Sequence, residues 1–314
     1  MRILFWGTPE FSVPSLRALL GEGHDVVGVV TQPDRPAGRG RGVRPSPLKA
    51  VALDEALPVL QPERARGDDF LAQLRALAPE LSVVVAFGQI LPTEVLELPP
   101  LGSLNLHASL LPELRGAAPI NYSILLGHER TGVTVMRMVA ALDAGPILHQ
   151  VTEPIGPEET ASDLTARLSE IGAEALVETL AMLELNGIAE RPQDDALATY
   201  APRLTRDSAR VDWTRPAAEV GRLIRAMDEL PGAWTRWRGE ELKLYRPEVE
   251  PDPVDAAAPG TVLRTTPTDA AQGMLVRCAD GAVWIREVKP AGRRRMGSAE
   301  WLRGRGAAEG ERLE

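Results

Sequence analysis

The run Leu81-Ser82-Val83-Val84-Val85-Ala86-Phe87 has almost no polar alternation. A strand with one wet face alternates polar and apolar residues; one without alternation must be covered on both faces, as in a parallel sheet sandwiched between helices. Similar runs occupy residues 2–6 and 25–31, and a shorter one in 55–61 carries Leu57, Val59 and Leu60. Between them lie helical patterns. Leu16, Leu19 and Leu20 share one face after Pro14, and Gly21 and Gly23 close that segment. Phe70, Leu71, Leu74 and Leu77 mark a second helix. Strands are expected over 103–107 and 133–138, with a helix over 120–126 between them. Repeated strand–helix–strand units build a doubly wound, Rossmann-like, mostly parallel α/β sheet. Ligands of such sheets bind outside the carboxyl ends of the strands.

The remainder reads differently. Residues 160–185 form two helical segments divided near Gly172, followed by a polar, Pro-containing linker over 189–209. After a helix over 217–227, five short strands are expected at 233–237, 242–245, 260–264, 274–278 and 283–288. That spacing suits a small OB-like β-barrel, a shape often used on nucleic acid. The expected organisation is a domain over 1–188, the linker over 189–209 and a second domain over 210–314, in keeping with a length of 314 residues.

No apolar run approaches a membrane span, and residues 1–20 hold no signal-peptide pattern. The lone Cys278 excludes an internal disulfide framework and suits a cytoplasmic protein. His24, His128 and His149 are scattered and read as surface histidines, so no metal is expected. Gly7-Thr8-Pro9 follows the first strand, yet the full glycine fingerprint of a dinucleotide site is missing and a tight turn explains it as well.

Two features point to chemistry. Asn105 and His107, two apart at the end of a strand pattern, project from one face, so a carboxamide and an imidazole can meet the same small substrate. Asp143, in Leu142-Asp143-Ala144-Gly145, reaches that spot only if strands 103–107 and 133–138 lie side by side. The second feature is charge. Net charge is −9, but residues 1–202 carry 15 basic and 26 acidic groups while residues 203–314 carry 20 and 18. Against that acidic first part stand Arg35, Arg39, Arg41, Arg44 and Lys49 in one long loop, and Arg293-Arg294-Arg295 further on. Screening limits such contacts to about 8–10 Å, so islands of this kind can hold phosphates locally.

Asn105-Leu106-His107-Ala108-Ser109-Leu110-Leu111-Pro112, then Arg115-Gly116-Ala117-Ala118-Pro119-Ile120 and Leu142-Asp143-Ala144-Gly145, resemble the formyltransferases that use 10-formyltetrahydrofolate. The resemblance runs nearly end to end, from Gly7-Thr8-Pro9-Glu10-Phe11 to Pro290-Ala291-Gly292, and the Arg/Gly-rich loop resembles the branch that acts on initiator methionyl-tRNA. It implies formyl transfer to an amine, with Asn105 and His107 as donors to the oxyanion and Asp143 as the partnering carboxylate. Ser109, Leu110, Leu111, Pro112, Phe87, Gly88 and Met138 would line the folate. A cis Leu111–Pro112 bond is implied as well. Arg39, Arg41, Arg44, Lys49, Arg293, Arg294 and Arg295 would face tRNA, with Arg39 the nearest match to the family's tRNA-contacting arginine. No protein partner is expected and the chain would be a monomer. An amino-sugar-nucleotide N-formyltransferase and a 10-formyltetrahydrofolate hydrolase are the alternatives, since both would use the same three residues.

Overall fold

The computed structural model describes residues 1–37, 42–185, 187–251, 256–268 and 273–314. The chain divides into two compact units. The first comprises Met1–Pro119, Arg130–Pro154 and Thr165–Ala201; the second comprises Ile120–Glu129, Ile155–Leu164 and Pro202–Glu314.

In chain order the first unit begins β1 (Arg2–Gly7), α1 (Val13–Gly21), β2 (Asp25–Val30), a hairpin of β3 (Arg35–Ala37) and β4 (Gly42–Arg44), and α2 (Pro47–Asp54). There follow β5 (Val59–Leu60), α3 (Asp68–Leu77), β6 (Leu81–Val85), α4 (Thr93–Leu96), β7 (Ser103–His107) and β8 (Arg115–Gly116). Next comes α5 (Pro119–Leu125), nearly all of it in the second unit, then β9 (Arg130–Arg137), β10 (Ile147–Pro154), α6 (Ala161–Glu184), whose first turn is counted with the second unit, and β11 (Tyr200–Ala201). Among the described residues the main sheet has seven strands in the order β10-β9-β7-β6-β1-β2-β5. The five strands from β7 to β5 are parallel; β9 runs against them, and β10 runs against β9.

The unalternating run supplies the buried centre of this sheet, since all five residues of β6 are buried. Its single polar group is satisfied: Ser82 Oγ accepts the Trp6 indole N–H at 3.2 Å. On one face Leu4, Trp6, Val84, Phe87, Phe70, Leu74 and Leu96 pack together, and Phe87 meets Trp6 edge-on at 5.2 Å. Helix α2 starts where Ser46 accepts the Lys49 amide N–H and Pro47 supplies a pre-set first turn.

Residues 160–185 differ from expectation, because α6 is one continuous helix of 24 residues. Gly172 does not break it. A Cβ there would lie 2.7 Å from Leu106, so the glycine lets the helix approach β7, and that packing overrides its poor helix propensity. The polar stretch assigned to a linker is not free of the first unit as far as Ala201: β11 pairs with β8, and Arg191 bridges Ile147.

The second unit holds α7 (Ala217–Ala226), β12 (Trp234–Trp237), β13 (Glu240–Glu250), β14 (Val262–Thr265), β15 (Met274–Arg277), β16 (Ala282–Pro290), β17 (Met296–Gly297) and α8 (Ser298–Arg305). The five expected strands form an antiparallel sheet in the order β12-β13-β16-β15-β14, with β17 added beside β16. The last residues take part as well. Arg236 of β12 exchanges both backbone hydrogen bonds with Glu314, while Val262 of β14 bonds Gly310 and Glu311.

Candidate active site

β7 and β9 lie side by side, with Asn105 opposite Met136 and His107 opposite Thr134. On the other side Asn105 pairs with Val84, whose side chain belongs to the cluster containing Phe87 and Met138. Asn105 therefore faces the same side of the sheet as those residues, and Leu106 faces α6. Asp143 does not arrive on a strand. The loop after β9 starts with the Met138 amide bonded to Ser103 O, at the beginning of β7, and retraces that strand until Asp143 reaches His107 at its end. Gly145 permits the return, since a Cβ would stand 1.8 Å from the Arg137 carbonyl oxygen.

His107 is buried, and its Nε2 lies 3.0 Å from the Leu114 carbonyl oxygen. A carbonyl can only accept, so Nε2 carries the proton. The remaining nitrogen, Nδ1, lies 3.8 Å from Asp143 Oδ2, which also accepts the Gly116 amide N–H at 2.8 Å. Asn105 is half-buried, and among the described residues its carboxamide has no hydrogen-bond partner. An unengaged amide donor, an imidazole with one face committed, and a carboxylate held by a backbone amide stand on one side of one strand. Such a set can polarise a carbonyl oxygen and hold a proton beside it.

The expected folate residues divide by what they already do. The Leu111–Pro112 bond is cis. The Ser109 hydroxyl donates to Glu113 O at 2.6 Å, and Leu111 is buried against Met136 and Ile147. Both side chains are therefore engaged within the loop and its surroundings. Leu110 and Pro112 are half-buried, Gly88 is exposed, and Met138 packs against the cluster containing Phe87. A cavity of about 530 Å³ is lined by Leu96, Ser103, Met138, Val139 and neighbours. Ile90, Val139 and Leu142, large and apolar, stand exposed on the adjoining loops.

The basic residues divide too. Arg39 and Arg41 lie outside the described residues. Arg44 is exposed on β4, opposite Arg35 on β3. Lys49 is committed: its ammonium donates to Asp34 at 2.5 Å and Gln61 at 2.7 Å, which holds the Asp34 carboxyl below the usual range. In the second unit Arg293 is exposed and Arg294 pairs with Glu300. Arg295 pairs with Glu287 at 2.6 Å and Asp228 at 3.4 Å and lies over the Tyr245 ring. Lys49 and Arg295 therefore anchor structure more than they present charge. Among the described residues no group of His, Cys, Asp and Glu gathers as a metal site, and no helix is long and apolar enough to cross a membrane.

Residues 1–180 match the family model of formyl transferase, and residues 203–306 match that of the formyl transferase C-terminal domain. The chain belongs to the formyl transferase family. The methionyl-tRNA formyltransferase of Thermobifida fusca is 48% identical over 313 residues, covering 100% of this chain and 99% of that one. HypX from Aquifex aeolicus in complex with tetrahydrofolic acid has the same fold, with a TM-score of 0.64 at 22% identity; the match spans 96% of this chain but 47% of HypX. An N-formyltransferase from Helicobacter canadensis, in complex with folinic acid and dTDP-3-aminofucose, gives 0.65 at 17% identity over 91% of this chain and 98% of that one. At those identities the last two speak for the fold alone.

One residue bonded to the loop that carries Asp143 escaped the sequence reading. Gln193, in the stretch assigned to the linker, donates to the Asp143 and Gly145 carbonyls at 2.8 and 2.7 Å. Composition hid it, because a polar residue between prolines and acidic groups reads as solvated chain.

Proposed function

We propose that the protein transfers the formyl group of 10-formyltetrahydrofolate to the α-amino group of initiator methionyl-tRNA. The reading rests on one conjunction: Asn105 and His107 share a face of β7, Asp143 stands 3.8 Å from His107, and the chain is nearly half identical, over its full length, to a methionyl-tRNA formyltransferase. The amine attacks the formyl carbon, a carbon–nitrogen bond forms, and the carbonyl oxygen becomes an oxyanion. Asn105 N–H and His107 Nδ1–H are the donors for that charge, which strengthens as the transition state is approached. Asp143 steadies the imidazolium and takes the proton the amine must lose. That proton leaves with the folate nitrogen as the original bond breaks.

The exposed apolar residues Ile90, Val139 and Leu142, with Met138 and Phe87 behind them, suit a flat ring such as a pterin. Leu110, Pro112 and Gly88 would border it, with Ser109 and Leu111 fixing the loop from within. Arg39, Arg41 and Arg44 would meet the acceptor stem, and Arg293 and Arg294 a more distant phosphate. The antiparallel sheet of the second unit would act as an OB-like platform for tRNA, in a monomeric cytoplasmic enzyme.

The test supplies labelled 10-formyltetrahydrofolate with methionyl-tRNA and, separately, with dTDP-3-aminofucose. Label is expected in methionyl-tRNA alone. Formylation of the sugar without the tRNA would replace this reading by an amino-sugar one, and release of formate with neither would mean a hydrolase.

A further inference from the structure

Arg115 is almost wholly buried, and a buried guanidinium needs partners. It finds Gln193 Oε1 through Nε at 3.1 Å and through a terminal nitrogen at 2.8 Å, and that terminal nitrogen also reaches Asp195 at 2.7 Å. Gln193 is thereby orientated, its oxygen towards Arg115 and its amino group towards the loop carrying Asp143. There it bonds the Asp143 and Gly145 carbonyls. The next residue after Arg115, Gly116, donates its amide to the Asp143 carboxylate. The bonds close a ring that grips Asp143 by its main chain and its side chain at once. Asp143 needs the grip, because its backbone is left-handed at φ 49°, a conformation that costs a non-glycine residue energy.

We propose that Gln193, locked by Arg115, is a positioning residue that aims the Asp143 carboxylate at His107, so that turnover depends on an amide that touches no substrate. The inference rests on the formyl-transfer reading of this site. Its chemistry is that of preorganisation: a misplacement of about 1 Å at a reacting group can cost a hundredfold in rate. Gln193 fixes the loop carbonyls, the loop fixes the carboxylate, and the carboxylate fixes the ring.

The test is a double-mutant cycle on the full chain. Gln193→Leu should lower kcat about tenfold to hundredfold. KM for methionyl-tRNA and the affinity for 5-formyltetrahydrofolate, an isomer with its formyl group on a different nitrogen, should stay within about twofold. In an Asp143→Ala background, measured by single turnover, the same substitution should change the rate by less than about twofold, since nothing remains to aim. Equal losses in both backgrounds, or an unchanged kcat in the single variant, would overturn the proposal. Gln193→Glu guards against misfolding. It keeps the shape and the acceptor for Arg115 but turns a second acceptor towards the two carbonyls, so it should lose kcat with unchanged circular dichroism. Wild-type turnover in that variant also defeats the proposal. Should the wild type formylate dTDP-3-aminofucose instead of tRNA, the function reading fails, and the same cycle on that acceptor still decides the role of Gln193.

Discussion

His107 has one nitrogen tied to Leu114 and one facing Asp143, and the Asn105 carboxamide is unengaged beside them. On the proposed reading the two donors would act where charge appears, with little part in holding the folate ring. Asn105→Ala or His107→Ala should cost about 10²–10³ in turnover, the usual loss for one oxyanion donor. Asp143→Ala should cost at least as much. Folate affinity, read by titration of 5-formyltetrahydrofolate, should survive in each case. Near-wild-type turnover in the Asn105 or Asp143 variant would end the three-residue assignment. Asn105 and His107 were legible in sequence because strand alternation fixes which side chains share a face. The route of Asp143 was not, since a loop retracing a strand leaves no periodic trace. Gln193 was invisible for a related reason: its bonds run to main-chain carbonyls, which any sequence possesses.

Hairpin β3–β4 and its root invite a separation of two effects. Arg39→Ala should remove a phosphate contact, lowering kcat/KM for methionyl-tRNA and flattening its salt dependence by about one unit of log–log slope. Lys49→Met should also lower kcat/KM, but by freeing the root that Asp34 and Gln61 hold. Its slope should match the wild type, because no phosphate contact is lost. Identical slopes for wild type and Arg39→Ala would remove the arginine from the interface. A second element, the tail over 307–314, depends on Glu311. Hydrogen bonds from Arg238, and then from Trp237, hold this carboxyl down at about 2, against an ordinary value of 4.5. A depressed folded value means the contribution is full above 4.5 and is lost as pH falls towards 2. The Trp237 indole N–H resonance should therefore shift over that acid range in the wild type and not in Glu311→Gln. The tail itself was not legible: its pairing is carried by main-chain groups of a polar, Gly-containing stretch without strand alternation.

For the molecule as a whole, the alternation of buried strands and amphipathic helices specified the parallel sheet, and short alternating runs specified the antiparallel one. The places where reading failed were those governed by tertiary contact, such as Gly172 against Leu106 in an unbroken α6. The single thiol offers a probe of the second unit. Burial, and secondarily Asp280, pushes Cys278 up to about 12. At pH 8 the folded thiolate fraction is on the order of one in ten thousand. Labelling by a thiol reagent should consequently follow denaturant unfolding, and rapid labelling of native protein would contradict that burial. The sheet around this cysteine has two rims, β12 and β14, and residues 310–314 bond to both. A bare rim is a template on which strands from other chains can crystallise into aggregates. With residues 310–314 hydrogen-bonded to both, neither rim lies wholly bare to a strand from another copy.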